Sequence, residues 1–170
     1  MKREIYYLLI TGLIFLGVFT QESSAEADMI KRVIKIEAEG DLLHYQEESF
    51  WDEESFYEVI SSKEKFEAKK IDSFKRDAES LGRNIVNPSI KFDESKRTTL
   101  LLCDVKGTRQ GNWYDFDWFL RPLGLDFLDS HFERKDMELY WEGKIRGINA
   151  IISIKFPFPI SNCHEHVWRR

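Results

Sequence analysis

The stretch "SSKEKFEAKKIDSFKRDAESLG", residues 61–82, decides the fold class. Phe66, Ile71, Phe74, Ala78 and Leu81 fall on one helical face, and Lys, Glu and Asp fill the other. Ser61 with Glu64 fits a capping box, and Gly82 fits the position just past a helix end. One amphipathic helix is therefore predicted over about 62–81. Its alternating charges, Lys63-Glu64-Lys65, Glu67 and Lys69-Lys70, read as a solvated face.

Almost everything around this helix reads as strand. Ile34, Ile36 and Ala38 alternate with Lys35 and Glu37, giving a strand over about 30–38, and Gly40-Asp41 is a turn signal. Leu42–Gln46 is the expected hairpin partner. Residues 47–55, rich in Glu, Asp and Ser, read as a loop anchored by Phe50 and Trp51. Phe56–Ile60 fits a strand through Tyr57 and Val59, or an early helical turn through the Phe56/Ile60 spacing.

Beyond the helix, Asn87-Pro88 breaks the chain, and Ile90 and Phe92 open a strand. Glu94–Arg97 is a turn, Thr98–Lys106 a return strand, and residues 107–112 a loop. Trp113–Leu120 alternates, with Tyr114, Phe116, Trp118 and Leu120 on one face and Asp115 and Asp117 on the other. Arg121-Pro122-Leu123-Gly124 ends it, and Leu125–Ser130 fits one helical turn. Met137–Arg146 and Asn149–Phe156 form a predicted hairpin around Gly147, and Pro157 and Pro159 confine the next segment to an edge or extended piece. Strands, one main helix, then strands joined by short turns predict an α+β domain. Its expected core is a mostly antiparallel sheet of six or seven strands with the helix across one face.

The N-terminus carries a targeting signal. Lys2 and Arg3 precede an apolar run from Ile5 to Phe19, and Ala25-Glu26-Ala27 is a small-x-small cleavage pattern. Residues 1–27 are therefore expected to be a cleaved signal peptide, and 28–170 a single domain of 143 residues. The expected compartment is periplasmic, cell-surface or extracellular. An uncleaved segment would be a membrane anchor, the sole membrane contact expected. The whole chain has 25 basic and 30 acidic residues, a formal charge of −5. Cleavage removes Lys2, Arg3, Glu4, Glu22 and Glu26, leaving −4. That balance argues against a nucleic-acid partner. Asn87-Pro88-Ser89 has the forbidden Pro, so no N-glycosylation sequon is present there.

The tail, "SNCHEHVWRR", concentrates chemistry. As a strand, residues 162–168 would place Asn162, His164, His166 and Trp168 on one face and Cys163, Glu165 and Val167 on the other. Two imidazoles at i, i+2 can chelate Zn²⁺ or Cu²⁺, with His44, His131, Asp115 or Asp117 as further ligands. The alternative is two solvated imidazoles at a sheet edge. Cys103 and Cys163 are the two cysteines, and in an oxidising compartment they are expected to pair. The bond would stabilise the fold by roughly 4 kcal/mol in the chain-entropy model. Two separate buried thiols are the competing reading, and a bonded Cys163 cannot hold a metal. Cys163 and His164 would be neighbours on opposite strand faces, which argues against a nucleophile–base dyad.

Asp115 and Asp117 on one strand would stand about 6.5–7 Å apart, a spacing that overlaps that of glycosidase carboxylates. The same alternation is ordinary for a half-exposed antiparallel strand. No P-loop, dinucleotide fingerprint, zinc-finger spacing or EF-hand occurs. All five Trp residues lie beyond the signal segment. The functional expectation is an exported, non-enzymatic module without a cofactor. It would bind a partner protein or an apolar or glycan ligand through an aromatic-rich sheet surface that includes Trp113, Trp118, Asp115 and Asp117. The alternative is a metal-binding protein using the Cys-His-Glu-His segment.

Overall fold

The structure is a computed structural model, and it describes residues 29–110, 113–125, 131–158, 160, 162–164 and 167–169. The expected signal segment lies outside the described residues, as does most of the helical turn expected at Leu125–Ser130. No helix among the described residues is long and apolar enough to cross a membrane.

The chain is α+β, as the sequence predicts. β1 (Met29–Glu39) and β2 (Leu42–Trp51) open it, followed by helices α1 (Glu53–Ser61) and α2 (Lys63–Ser80). β3 (Asn84–Asp93) and β4 (Thr98–Lys106) form the next hairpin. After β5 (Arg109–Gln110), β6 (Trp113–Asp115) and the short helix α3 (Asp117–Leu120) come β7 (Glu133–Lys135), β8 (Glu138–Ile145) and β9 (Ile148–Lys155). β10 (Asn162–His164) and β11 (Val167–Arg169) complete it. The main sheet has the order β3-β4-β2-β1-β9-β8-β7, and a small one the order β10-β11-β6-β5. Every pair in the main sheet is antiparallel except β1 with β9. That parallel contact joins the β1–β2 hairpin to the β8–β9 hairpin, over the long crossover a parallel pair requires.

Local chemistry fixes the turns. Gly40 takes φ 61° in the first of two residues linking β1 to β2, a position that favours glycine. Arg146 and Gly147, with φ 50° and 87°, have the two positive φ angles of a type I′ turn between β8 and β9. Gly82 closes α2: its N–H donates to the Glu79 carbonyl at 2.9 Å, and the Arg83 N–H to the Ala78 carbonyl at 3.0 Å. This is a Schellman ending. Asn87-Pro88 does not break the chain but makes a bulge inside β3, where the register shifts between Val86 and Ser89. Asn87 accepts the positive φ of 53° there, and Pro88 has no N–H to lose from the ladder.

Three other expectations are corrected. The acidic loop at 47–55 is mostly strand, because β2 runs on to Trp51. The helix expected over 62–81 is α2, whereas Phe56–Ile60 is not a strand but part of a separate helix: α1 begins at Glu53, capped by the Asp52 carboxylate accepting from the Ser55 N–H at 2.8 Å. The capping box does not form; Ser61 Oγ instead donates to the Glu58 carbonyl. Strand Trp113–Leu120 stops at Asp115 and turns into α3.

Both helices cover one face of the main sheet. From α2, Phe74 meets Tyr45 of β2 with ring centroids 4.7 Å apart, and Phe66 meets Trp51 and Phe92. From α1, Phe56 and Val59 pack with Met29 and Trp51. The core between the layers holds Ile34, Ile36, Leu43, Val105, Ile152 and Ile154, and α3 adds Trp118, Phe119 and Leu120. The opposite face of the sheet carries no layer among the described residues, and Lys35, Glu37, Lys91, Glu142, Lys144 and Lys155 are exposed on it.

Candidate functional site

Strand parity brings two charged residues into the covered face. Arg32 continues the inward series Ile34, Ile36, Ala38, and Glu47 continues Leu43 and Tyr45. Arg32 is 3% and Glu47 4% exposed. Glu47 Oε1 lies 3.4 Å from Arg32 Nε and accepts from Lys70 Nζ of α2 at 2.9 Å. Its Oε2 accepts from the Tyr45 hydroxyl at 2.7 Å. The cross-strand partners of Arg32, Ser49 and Ala150, are small, and Gly143 beyond Ala150 is covered by the Trp141 ring.

Burial alone would push the Glu47 carboxyl up. The Lys70 and Arg32 charges and the hydrogen bonds from Lys70 and Tyr45 outweigh it, holding the group down at about 2 instead of 4.5. Burial, then the Glu47 charge, pushes the Tyr45 phenol well above its ordinary value. The arrangement is a charged peg between sheet and helix. Glu47 stays a carboxylate and spends its oxygens on protein donors, which suits anchoring rather than proton transfer.

The open face carries a second constellation. His44 Nδ1 lies 2.8 Å from Asp104 Oδ1, and Nε2 lies 3.1 Å from Glu39 Oε2. Asn87 Nδ2 donates to the other Asp104 oxygen at 3.2 Å. With both ring nitrogens engaged by carboxylates, His44 offers no lone pair for general-base work. Half-buried apolar residues stand between the charges of this face: Val33, Phe50, Leu100, Leu102 and Ile151. Lys31 lies over the Phe50 ring at 5.7 Å. Lys31, Glu142, Lys144, Asn149 and Ile151 line a shallow cleft of about 270 Å³.

The structure does not assemble the ligand set expected from Trp113, Asp115, Asp117 and Trp118. Trp118 is 2% exposed in α3, against Phe74 and Phe119, so it is core and cannot meet a ligand. Asp115 is ion-paired with Arg83, which also donates to the Gly107 carbonyl at 2.7 Å. That pairing makes Asp115 a link between strand β6 and the end of α2. Asp117 begins the helix α3, so the two aspartates do not share a strand face. The side chains of Trp113 and Asp117 lie outside the described residues.

The tail is a hairpin, not one strand. β10 pairs antiparallel with β11, matching Cys163 with Trp168 and His164 with Val167, and β11 pairs with β6. His164 ends β10 and Val167 opens β11, so residues 162–168 are not one continuous strand. His166 and the side chains of Cys163 and His164 lie outside the described residues. Among the described residues no group of three or more His, Cys, Asp or Glu side chains could hold a metal ion. Cys103 is a free, buried thiol, so the expected Cys103–Cys163 disulfide is not formed. Burial, then the Asp104 and Glu47 charges, pushes that thiol up to about 12.

Sequence reading missed Arg32, Glu47 and His44 as a group. The signal was available: extending the period-2 parity of Ile34/Ile36 backward and of Leu43/Tyr45 forward turns both Arg32 and Glu47 inward. No family model matches this chain, and neither a curated protein nor a solved structure gives a significant match to it.

Proposed function

We propose that the chain is an exported, non-enzymatic module that binds a partner or an apolar or glycan ligand on the open face of its main sheet. The observation that carries this reading is the asymmetry of the sheet. Its covered face is filled by the helices, while its open face presents Val33, Leu100, Leu102, Ile151 and Phe50 among exposed charges. Such a mixture of apolar surface and charge is ordinary for a reversible interface. The chemistry of the reactive groups supports a non-catalytic role: Cys103 is buried as a thiol, Asp115 is ion-paired, and His44 is held at both nitrogens.

Monomeric octyl glucoside, which joins an apolar chain to a sugar, is a suitable probe. Titrated into the labelled domain, it is expected to shift amide resonances of β1, β2, β4 and β9. The double variant Leu100→Glu, Ile151→Glu should weaken this binding at least about tenfold, as a loss of about 1.4 kcal/mol would, without moving the urea midpoint. Shifts confined to the helical face, or none, would contradict the assignment.

A further inference from the structure

The register of the main sheet places six charged or titratable side chains in one row on the open face. Asp104 of β4 lies opposite His44 of β2, His44 opposite Glu37 of β1, and Glu37 opposite Lys155 of β9. Glu138 of β8 and Lys135 of β7 continue the row. The signs alternate across all six strands only when His44 carries a proton. Opposite charges directly across strands stabilise a sheet, and a neutral rung would interrupt the series.

The geometry at His44 asks for the same state. Each ring nitrogen faces a carboxylate oxygen, at 2.8 Å and 3.1 Å. A neutral imidazole has one N–H, so one contact would then set a lone pair against a carboxylate. Only the imidazolium donates to both. The charged groups directly opposite or bonded to His44 are carboxylates, Glu37 and Glu39 on β1 and Asp104 on β4, while Lys35 of β1 stands one diagonal position away, beside Gln46, and Asp41 lies in the β1–β2 turn. Lys106 lies farther along β4, and β3 contributes the uncharged Asn87.

We infer that Glu39, His44 and Asp104 form a proton-operated clasp that ties β1, β2 and β4 together at one end of the sheet. With the proton on, both carboxylates are bound and Asp104 also holds Asn87 at the β3 bulge. With it off, one carboxylate is released and the turn end of the β1–β2 hairpin loosens. The clasp stands independently of the docking reading above.

The hydrogen bonds to Glu39 and Asp104 raise the His44 pKa above 6.5. The stabilisation is therefore fully present below pH 6.5 and is lost as pH rises through the higher folded value. The test is an NMR titration of the His44 ring, identified by its absence from His44→Gln. His44 is expected to titrate above the ordinary imidazole value, and the Glu39→Gln, Asp104→Asn double variant to bring it back toward that value. The wild-type urea midpoint should also fall more between pH 5 and pH 9 than that of His44→Gln. An ordinary or lowered titration in the wild type, no response to the double variant, or equal pH dependence of the two midpoints would overturn the clasp.

Discussion

Glu47→Gln is expected to cost about 3–5 kcal/mol, the penalty for leaving a buried ion pair with one partner. The substitution keeps the shape but removes the negative charge that Arg32 and Lys70 both face, and Arg32 is 3% exposed. Domains of this size have total stabilities of roughly 5–15 kcal/mol, so the urea midpoint should drop sharply. The wild-type protein should show a matching acid dependence. Glu47 titrates at about 2 in the fold against 4.5. A depressed carboxylate contributes stability that is present above pH 4.5 and lost as pH falls toward 2, here about 3 kcal/mol. Urea unfolding from pH 6 to pH 2 checks both effects. The variant should lose the part of the acid dependence that Glu47 supplies. Replacing Arg32, Glu47 and Lys70 together by apolar residues of similar size should be far milder, because no charge is then left buried. A Glu47→Gln midpoint close to wild type would mean that the peg does not anchor the helices.

Trp118→Ala should cost about 3–5 kcal/mol, the range for removing a large buried aromatic. The indole is 2% exposed and packs against Tyr45 and Phe74 at centroid distances of 5.9 Å each, and against Phe119 at 5.3 Å. It joins α3, α2 and β2 in one cluster. Its Nε1–H is buried without a hydrogen-bond partner among the described residues. Trp118→Phe therefore removes an unsatisfied donor along with some volume, and should cost much less than Trp118→Ala. Thermal and urea unfolding of the two variants check the order. Equal, small losses would place Trp118 outside the core.

The elements most legible in the sequence are those where local chemistry and burial agree. Thr98–Lys106 matches β4 end to end, because inward Leu101, Cys103 and Val105 alternate between a turn and Gly107. The Gly82 helix end and the Gly147 hairpin rest on backbone conformations that glycine favours. Misreadings occurred where a side chain is buried against its usual preference. Glu47 and Ser49 resemble loop residues in a sequence, yet they are inward positions of a strand because Lys70, Arg32 and Tyr45 satisfy Glu47 and the Ser49 hydroxyl donates to Glu47. Tyr114, Phe116, Trp118 and Leu120 are all buried, as their alternation implies, but Phe119 is buried too. That continuous burial belongs to a segment enclosed on all sides, which period-2 counting cannot separate from a strand. The candidate site was less legible than the fold. Glu39 and His44 share the β1–β2 hairpin, but Asp104 reaches them only through the pairing of β2 with β4, sixty residues on, and no spacing motif encodes that register.

One asymmetry organises the molecule: helices close one face of the main sheet and leave the other open among the described residues. Thiol reactivity reads this directly. In the Cys163→Ser background, Lys35→Cys places a second thiol on the open face, while Cys103 lies beneath the helices. Labelling with N-ethylmaleimide under folding conditions, followed by mass spectrometry, gives both rates in one sample. The thiolate is the attacking species, so Cys103 at about 12 should react more than about 1,000-fold slower than an ordinary exposed thiol. The difference should vanish in urea. Comparable rates at the two positions in the folded protein would show that the helix layer does not close the inner face, and would contradict the account.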